Sequence, residues 1–194
     1  KGTPGLSVGN HENKMGIRCS TTSDVILEDV RIPAENRLGE EGTGFITAMK
    51  TLDLARTWCA AIGVGVAQRC IDEAVAYSKQ RVTFGSTISN HQAIQFMLAD
   101  MEIRTETARS MVIQAVTRQE HGLSYSKESA IAKCYAGDIA VQNALDAIQI
   151  LGGYGYSREY PVEKLLRDAK IFQIYEGTNQ IQRIVISRAV MGKF

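Results

Sequence analysis

The clearest chemical potential in this chain lies in Ile174-Tyr175-Glu176-Gly177-Thr178-Asn179-Gln180-Ile181-Gln182-Arg183, where a lone carboxylate falls in a turn between two helical patterns. A carboxylate held at such a junction can act as a general base, and Gly177 lets the backbone turn sharply beside it. The helix that opens next aims unpaired N–H groups back at whatever occupies the junction. The plain alternative makes Glu176 a helix-start acid that complements the dipole. A second combination is Arg81-Val82-Thr83-Phe84-Gly85, which sets a guanidinium beside an aromatic ring and a flexible residue, a grouping suited to a phosphate and a flat ring. Asp53 and Arg56, at i and i+3 of a helical pattern, read either as ligand-holding groups or as an ordinary same-helix ion pair. Gly152-Gly153-Tyr154-Gly155 closes a helical pattern, whereas a dinucleotide fingerprint follows a strand and opens a helix, so it reads as a helix C-cap turn.

These groups need helices to hold them, and the periodicity provides a mainly α chain. Pro161, at a first helical position, opens a segment carrying Val162, Leu165, Leu166, Ala169 and Phe172; Thr178 can N-cap a last helix carrying Ile181, Ile184, Val185 and Val190. A long helix with Phe45, Ala48, Met49, Leu52, Ala55, Cys59, Ile62 and Val66 at helical spacing reaches about Gln80. Gly63 and Gly65 inside it suggest close approach by another helix or subunit. Asn90 can cap a second long helix with Ile94, Met97, Leu98, Met101, Ala108, Met111, Val112 and Ala115 on one stripe, closed by Gly122. A third runs from about Ser126, with Ile131, Cys134, Val141, Leu145 and Ile148 on one face, to Gly152-Gly153. Three long helices and a short pair make a four-helix-type bundle over residues 39–194. Residues 1–38 read instead as part of a β domain, with Asp24–Ile32 the best strand and Pro33 ending it. So few strands are marginal alone, and the expectation is that the rest of their sheet precedes Lys1.

Composition narrows the partners. The formal net charge is +1, from 22 basic and 21 acidic residues, which gives no electrostatic case for nucleic acid or a polybasic membrane contact. No apolar run approaches the ~18 residues of a membrane span. Four cysteines without Cys-x-x-Cys spacing and three scattered histidines favour free thiols in a reducing compartment and no metal site.

The Glu176 turn resembles the C-terminal signature of the acyl-CoA dehydrogenases, in which a Tyr-Glu-Gly-Thr turn carries the base. The resemblance extends in family order through Met15-Gly16-Ile17-Arg18, Leu52-Asp53-Leu54-Ala55-Arg56, Arg81–Gly85, His91-Gln92, Gln149-Ile150-Leu151-Gly152-Gly153 and Arg167-Asp168-Ala169-Lys170. It implies an FAD enzyme that converts an acyl-CoA to a trans-2-enoyl-CoA, with Glu176 removing the α-proton. Arg81, Thr83, Phe84 and Gln92 would meet FAD; Gln149, Gly152 and Gly153 would meet the FAD of a neighbouring subunit; Thr178 and Gln180 would grip cofactor from the last helix. Asp53 and Arg56 match residues that hold CoA, and Tyr175 and Gly177, flanking the base, belong with the substrate contacts. Trp58 shares a helix face with Ala55, where relatives lacking the turn glutamate carry their base, and its bulk would shorten the acyl pocket. The resemblance further implies an electron-transfer flavoprotein as partner, a homotetramer built as a dimer of dimers, and a bacterial cytoplasm or mitochondrial matrix as location. A flavin acyl-CoA oxidase and a non-catalytic helical assembly subunit are the rival readings.

Overall fold

The computed structural model describes residues 2–192. Two short antiparallel strands come first, β1 (Leu6–Val8) and β2 (Val25–Leu27), in the register Leu6↔Leu27, Ser7↔Ile26, Val8↔Val25. The strand expected over Asp24–Ile32 stops at Leu27 because Asp29 takes a positive φ of 51°, which turns the chain out of the extended conformation. Every residue of both strands is exposed.

Five α-helices follow among the described residues: α1 (Gly44–Gln80), α2 (Gln92–Glu120), α3 (Ser126–Leu151), α4 (Val162–Ala169) and α5 (Asn179–Val190). Between α1 and α2 the Arg81–Gly85 loop is a small hairpin, β3 (Val82–Thr83) paired with β4 (Ser86–Thr87) around Phe84 and Gly85, both at positive φ as a two-residue hairpin turn requires. Asn90 does not cap α2. It lies in a 3-10 turn, Ile88–Asn90, and donates to Ser86 Oγ (2.8 Å) and Thr87 Oγ1 (3.2 Å), which leaves His91 in the N-cap position without a side-chain cap. The segment opened by Pro161 divides into α4 and a 3-10 turn, Lys170–Gln173.

α3 is the central element and packs against α1, α2, α4 and α5. Its buried alanines, Ala130, Ala132, Ala136, Ala140, Ala144 and Ala147, permit neighbours on several sides at short distance. α1 answers with small residues of its own: Thr57, Ala60, Gly63, Val64, Ala67, Cys70 and Ala74 are buried, whereas Phe45 and Ile62 from the expected stripe face outward. The burying face of α1 is thus set by small side chains that admit the α3 backbone rather than by its largest apolar ones. Gly63 lies where a Cβ would meet the Ala136 carbonyl oxygen at 3.3 Å, in keeping with close helix approach; Gly65 faces open space. α5 inverts its expected stripe as well, burying Asn179 and Gln182 and leaving Ile181, Ile184 and Val190 exposed.

The N-terminal segment is fastened to the bundle at one clasp. The backbone N–H of Ile17 donates to Asp168 Oδ1 (2.6 Å) and Arg167 Nη1 donates to the Met15 carbonyl (3.1 Å). A Cβ on Gly16 would stand 2.3 Å from the Arg167 carbonyl oxygen, so the approach demands glycine. Met15-Gly16-Ile17 and Arg167-Asp168 therefore form the two halves of one contact.

Candidate active site

Glu176 occupies the turn between the Lys170–Gln173 3-10 helix and α5, with φ +56°, followed by Gly177 at +86°. A non-glycine residue in the left-handed region is strained by about 1–2 kcal/mol and persists where its surroundings over-determine it. Those surroundings are specific here. Gln182 Nε2 donates to the Glu176 carbonyl (3.1 Å) and to the Gly177 carbonyl (2.9 Å), and Lys133 Nζ, from α3, donates to the Gly177 carbonyl (2.6 Å) and Asn179 Oδ1 (3.0 Å). Asn179 Nδ2 in turn donates to the Cys134 carbonyl (3.0 Å) and Asp138 Oδ1 (2.8 Å). Thr178 caps α5 as expected, its Oγ1 accepting from the Ile181 N–H at 3.3 Å.

The carboxylate of Glu176 is half-buried and takes no part in these bonds, so the turn is held by its backbone and the side chain is left for other work. Beside it Tyr175 packs on Phe172, with ring centroids 5.8 Å apart, and approaches the Cys59 thiol of α1. Burial pushes the Cys59 thiol up to about 11 despite the Lys133 charge nearby, and burial also raises the Tyr175 hydroxyl. Burial lowers the Lys133 ammonium, opposed by Cys59, Cys134, Asp138 and Glu176. Lys133 and Asp138 escaped the reading of the sequence, and Asn179 and Gln182 lay in the singled-out stretch without a role; the available signal for Lys133 was its place in Ser129-Ala130-Ile131-Ala132-Lys133-Cys134, a helical run otherwise without charge.

The remaining candidates fall at separate places. Arg81, Thr83, Gly152 and Gly153 line one cavity of about 630 Å³ between the end of α1 and the α3–α4 turn, where Gly152 has φ +60°. Phe84, Gln92 and Gln149 are exposed and stay outside it. Thr178 and Gln180 line a second cavity of about 510 Å³ at the α5 N-terminus together with Lys170 and Arg183. A third, of about 600 Å³, is lined by Asp53 and Arg56. There Arg56 Nη1 donates to Asp53 Oδ1 (2.6 Å), which also accepts from Ser126 Oγ (2.9 Å), so the ion pair is real. Arg56 Nε is buried and has no partner among the described residues. Trp58 is 62% exposed and lines none of these three cavities. Tyr175 borders a fourth, of about 460 Å³, between Lys14–Ile17 and Arg167–Tyr175.

The donor sets suit a dinucleotide such as FAD. Lys170 and Arg183, the latter paired with Asp138, stand at a helix N-terminus that favours anionic groups, and Arg81 lines the other cavity with Gly152, Gly153 and Glu159. The two sets share no residue.

The family described as Acyl-CoA dehydrogenase, C-terminal domain, matches residues 42–191. The chain belongs to the acyl-CoA dehydrogenase family. It is 50% identical over 192 residues to an acyl-CoA dehydrogenase of Bacillus subtilis (strain 168), covering 99% of this chain and 51% of that protein. The solved butyryl-CoA dehydrogenase of Megasphaera elsdenii matches with a TM-score of 0.97 at 49% identity, over 98% of this chain and 50% of that one. A structure described as the electron transferring flavoprotein of Acidaminococcus fermentans matches with a TM-score of 0.97 at 50% identity, again over 98% and 50%. The chain thus spans about half the length of the relatives it matches. Its helices are those of the acyl-CoA dehydrogenase C-terminal domain, and no helix among the described residues is long and apolar enough to cross a membrane.

Proposed function

We propose that this chain is the base-carrying part of an FAD-dependent acyl-CoA dehydrogenase that converts an acyl-CoA to its trans-2-enoyl-CoA. The observation that carries the reading is the Glu176 turn. In a member of this family, a half-buried carboxylate is kept in the left-handed region by bonds to its own and the next carbonyl, with its side chain uncommitted. Removing the weakly acidic proton next to a thioester calls for one positioned base. Glu176 takes that proton, and the Tyr175–Gly177 backbone frames the thioester. FAD, when bound, accepts the hydride that leaves the β-carbon. Arg81, Thr83, Phe84 and Gln92, with Thr178 and Gln180 beside Lys170 and Arg183 at the α5 N-terminus, would hold FAD, and Gln149, Gly152 and Gly153 would meet the FAD of a neighbouring subunit.

Asp53 and Arg56 hold the CoA portion in this reading. A short acyl group is favoured by the name of the Megasphaera elsdenii relative, and an electron-transfer flavoprotein as acceptor by the description of the Acidaminococcus fermentans structure. Residues 1–38 belong to a β domain and 39–194 to the helical domain, and the protein assembles as a dimer of dimers in the bacterial cytoplasm or mitochondrial matrix.

Glu176→Gln tests the central claim, because it preserves shape and removes the proton acceptor. In the full-length protein, acyl-CoA binding should persist while single-turnover flavin reduction falls by roughly 10²–10⁴-fold. A helix-start acid would instead cost about 0.3–1 kcal/mol of stability and leave the reduction rate alone. Wild-type reduction in this variant would end the proposal.

A further inference from the structure

We propose that Lys133 is the positioning residue for Glu176, holding the base's turn by donating from a fully buried ammonium to the carbonyl of the adjacent glycine. This rests on Glu176 being the base. Lysine is almost never fully buried unless paired, yet Lys133 has no exposed surface. Its partners account for the position: the Gly177 carbonyl at 2.6 Å and Asn179 Oδ1 at 3.0 Å, the first two bonds of a charged donor with three.

The bond to Gly177 falls where the backbone needs it. Glu176 and Gly177 are successive residues at positive φ, and the Gly177 carbonyl receives both Lys133 and Gln182. Gln182 spends both N–H groups of its amide on the Glu176 and Gly177 carbonyls, while its own Oε1 is buried without a partner among the described residues. The rigid anchor is Lys133, because α3 is the central helix whereas Gln182 lies on the same short helix that the turn begins.

α5 has further docking bonds besides those to Lys133. Asn179 binds the Cys134 carbonyl and Asp138, and Arg183 Nη2 reaches Asp138 Oδ2 at 3.0 Å, all without Lys133. Loss of the ammonium should therefore loosen the turn and leave the helix in place, which separates positioning from general structural support.

The test is Lys133→Met in the full-length FAD-loaded protein, read in two ways. Flavin reduction by butyryl-CoA should slow about 10–100-fold, the scale set by a base displaced by about an ångström. Affinity for a non-oxidisable thioether analogue should stay within about threefold. Independently, hydrogen exchange should quicken at the amides of Ile174, Tyr175, Ile181 and Gln182, which are bonded on either side of the turn, and stay unchanged through the middle of α3. Wild-type reduction and wild-type exchange would overturn the proposal. So would a variant that fails to fold, since the Asn179–Asp138 contacts are held here to suffice for docking. If the unaltered protein shows no reduction by any acyl-CoA, the functional reading falls, and the exchange measurement still decides whether Lys133 holds the turn.

Discussion

At the scale of single residues, the buried groups near the site carry a dependence of stability on pH. Burial raises the Cys59 thiol to about 11 and the Cys70 thiol to about 12, with Glu73 adding to the second, from an ordinary 9.0. The folded protein keeps these protons where the unfolded chain releases them, and each unit of difference corresponds to about 1.4 kcal/mol. This contribution is fully present below pH 9.0 and fades as pH rises toward about 11 and 12. Urea unfolding at rising pH should show that decline, and Cys70→Ala should make it shallower although the variant starts less stable. Parallel declines would show that Cys70 does not contribute. Lys133 teaches a different lesson about legibility. A lysine inside a helix reads as a surface residue, and only the partners brought by α5, forty-odd residues later in the chain, make its burial tolerable.

Among elements, α2 was read correctly in its face, with Met101, Ala108 and Ala115 buried as expected, and incorrectly in its start, which Asn90 does not cap. Thr178 capping α5 and glycine ending α3 are local chemistry, present within a few residues of sequence. The buried face of α1 is a property of its neighbour: against the alanine-rich α3, the side that fits is the one with Ala60, Gly63 and Ala67, and the larger Phe45 and Ile62 are turned away. Asn179 is buried on α5 against Lys133, the Cys134 carbonyl and Asp138 of α3, and Gln182 against the carbonyls of the Glu176 turn. The same close packing predicts two opposite glycine substitutions. A Cβ on Gly137 would stand 2.7 Å from the Phe172 carbonyl oxygen, so Gly137→Ala should lose about 1–3 kcal/mol by overpacking α3 against the 3-10 turn. Gly65→Ala, with nothing within 4 Å, should gain about 0.5–1 kcal/mol from helix propensity. Thermal unfolding of both checks the pair, and destabilisation by Gly65→Ala would indicate a neighbour on that face.

For the whole molecule, the outer surface carries exposed large apolar side chains on several helices. Phe96 and Ile103 on α2 are 60% and 62% exposed and lie seven residues apart, on one side of the helix. Under the proposed dimer of dimers such positions are covered, and Phe96→Glu with Ile103→Glu should shift the full-length protein to a smaller species by light scattering. An unchanged mass would place the subunit contacts elsewhere. The clasp at Gly16 and the two cofactor-suited cavities were visible only as separate motifs in sequence, because what joins them is the path of the chain around α3. That path also sets an order of events. α3 is synthesised before α5, so until the last helix emerges from the ribosome, Lys133 has neither of its acceptors and the groove around it holds a charge without a counterpart. Burying Lys133 and ordering the turn that bears Glu176 therefore wait on the same short stretch of chain, since the acceptors that one needs are part of the other.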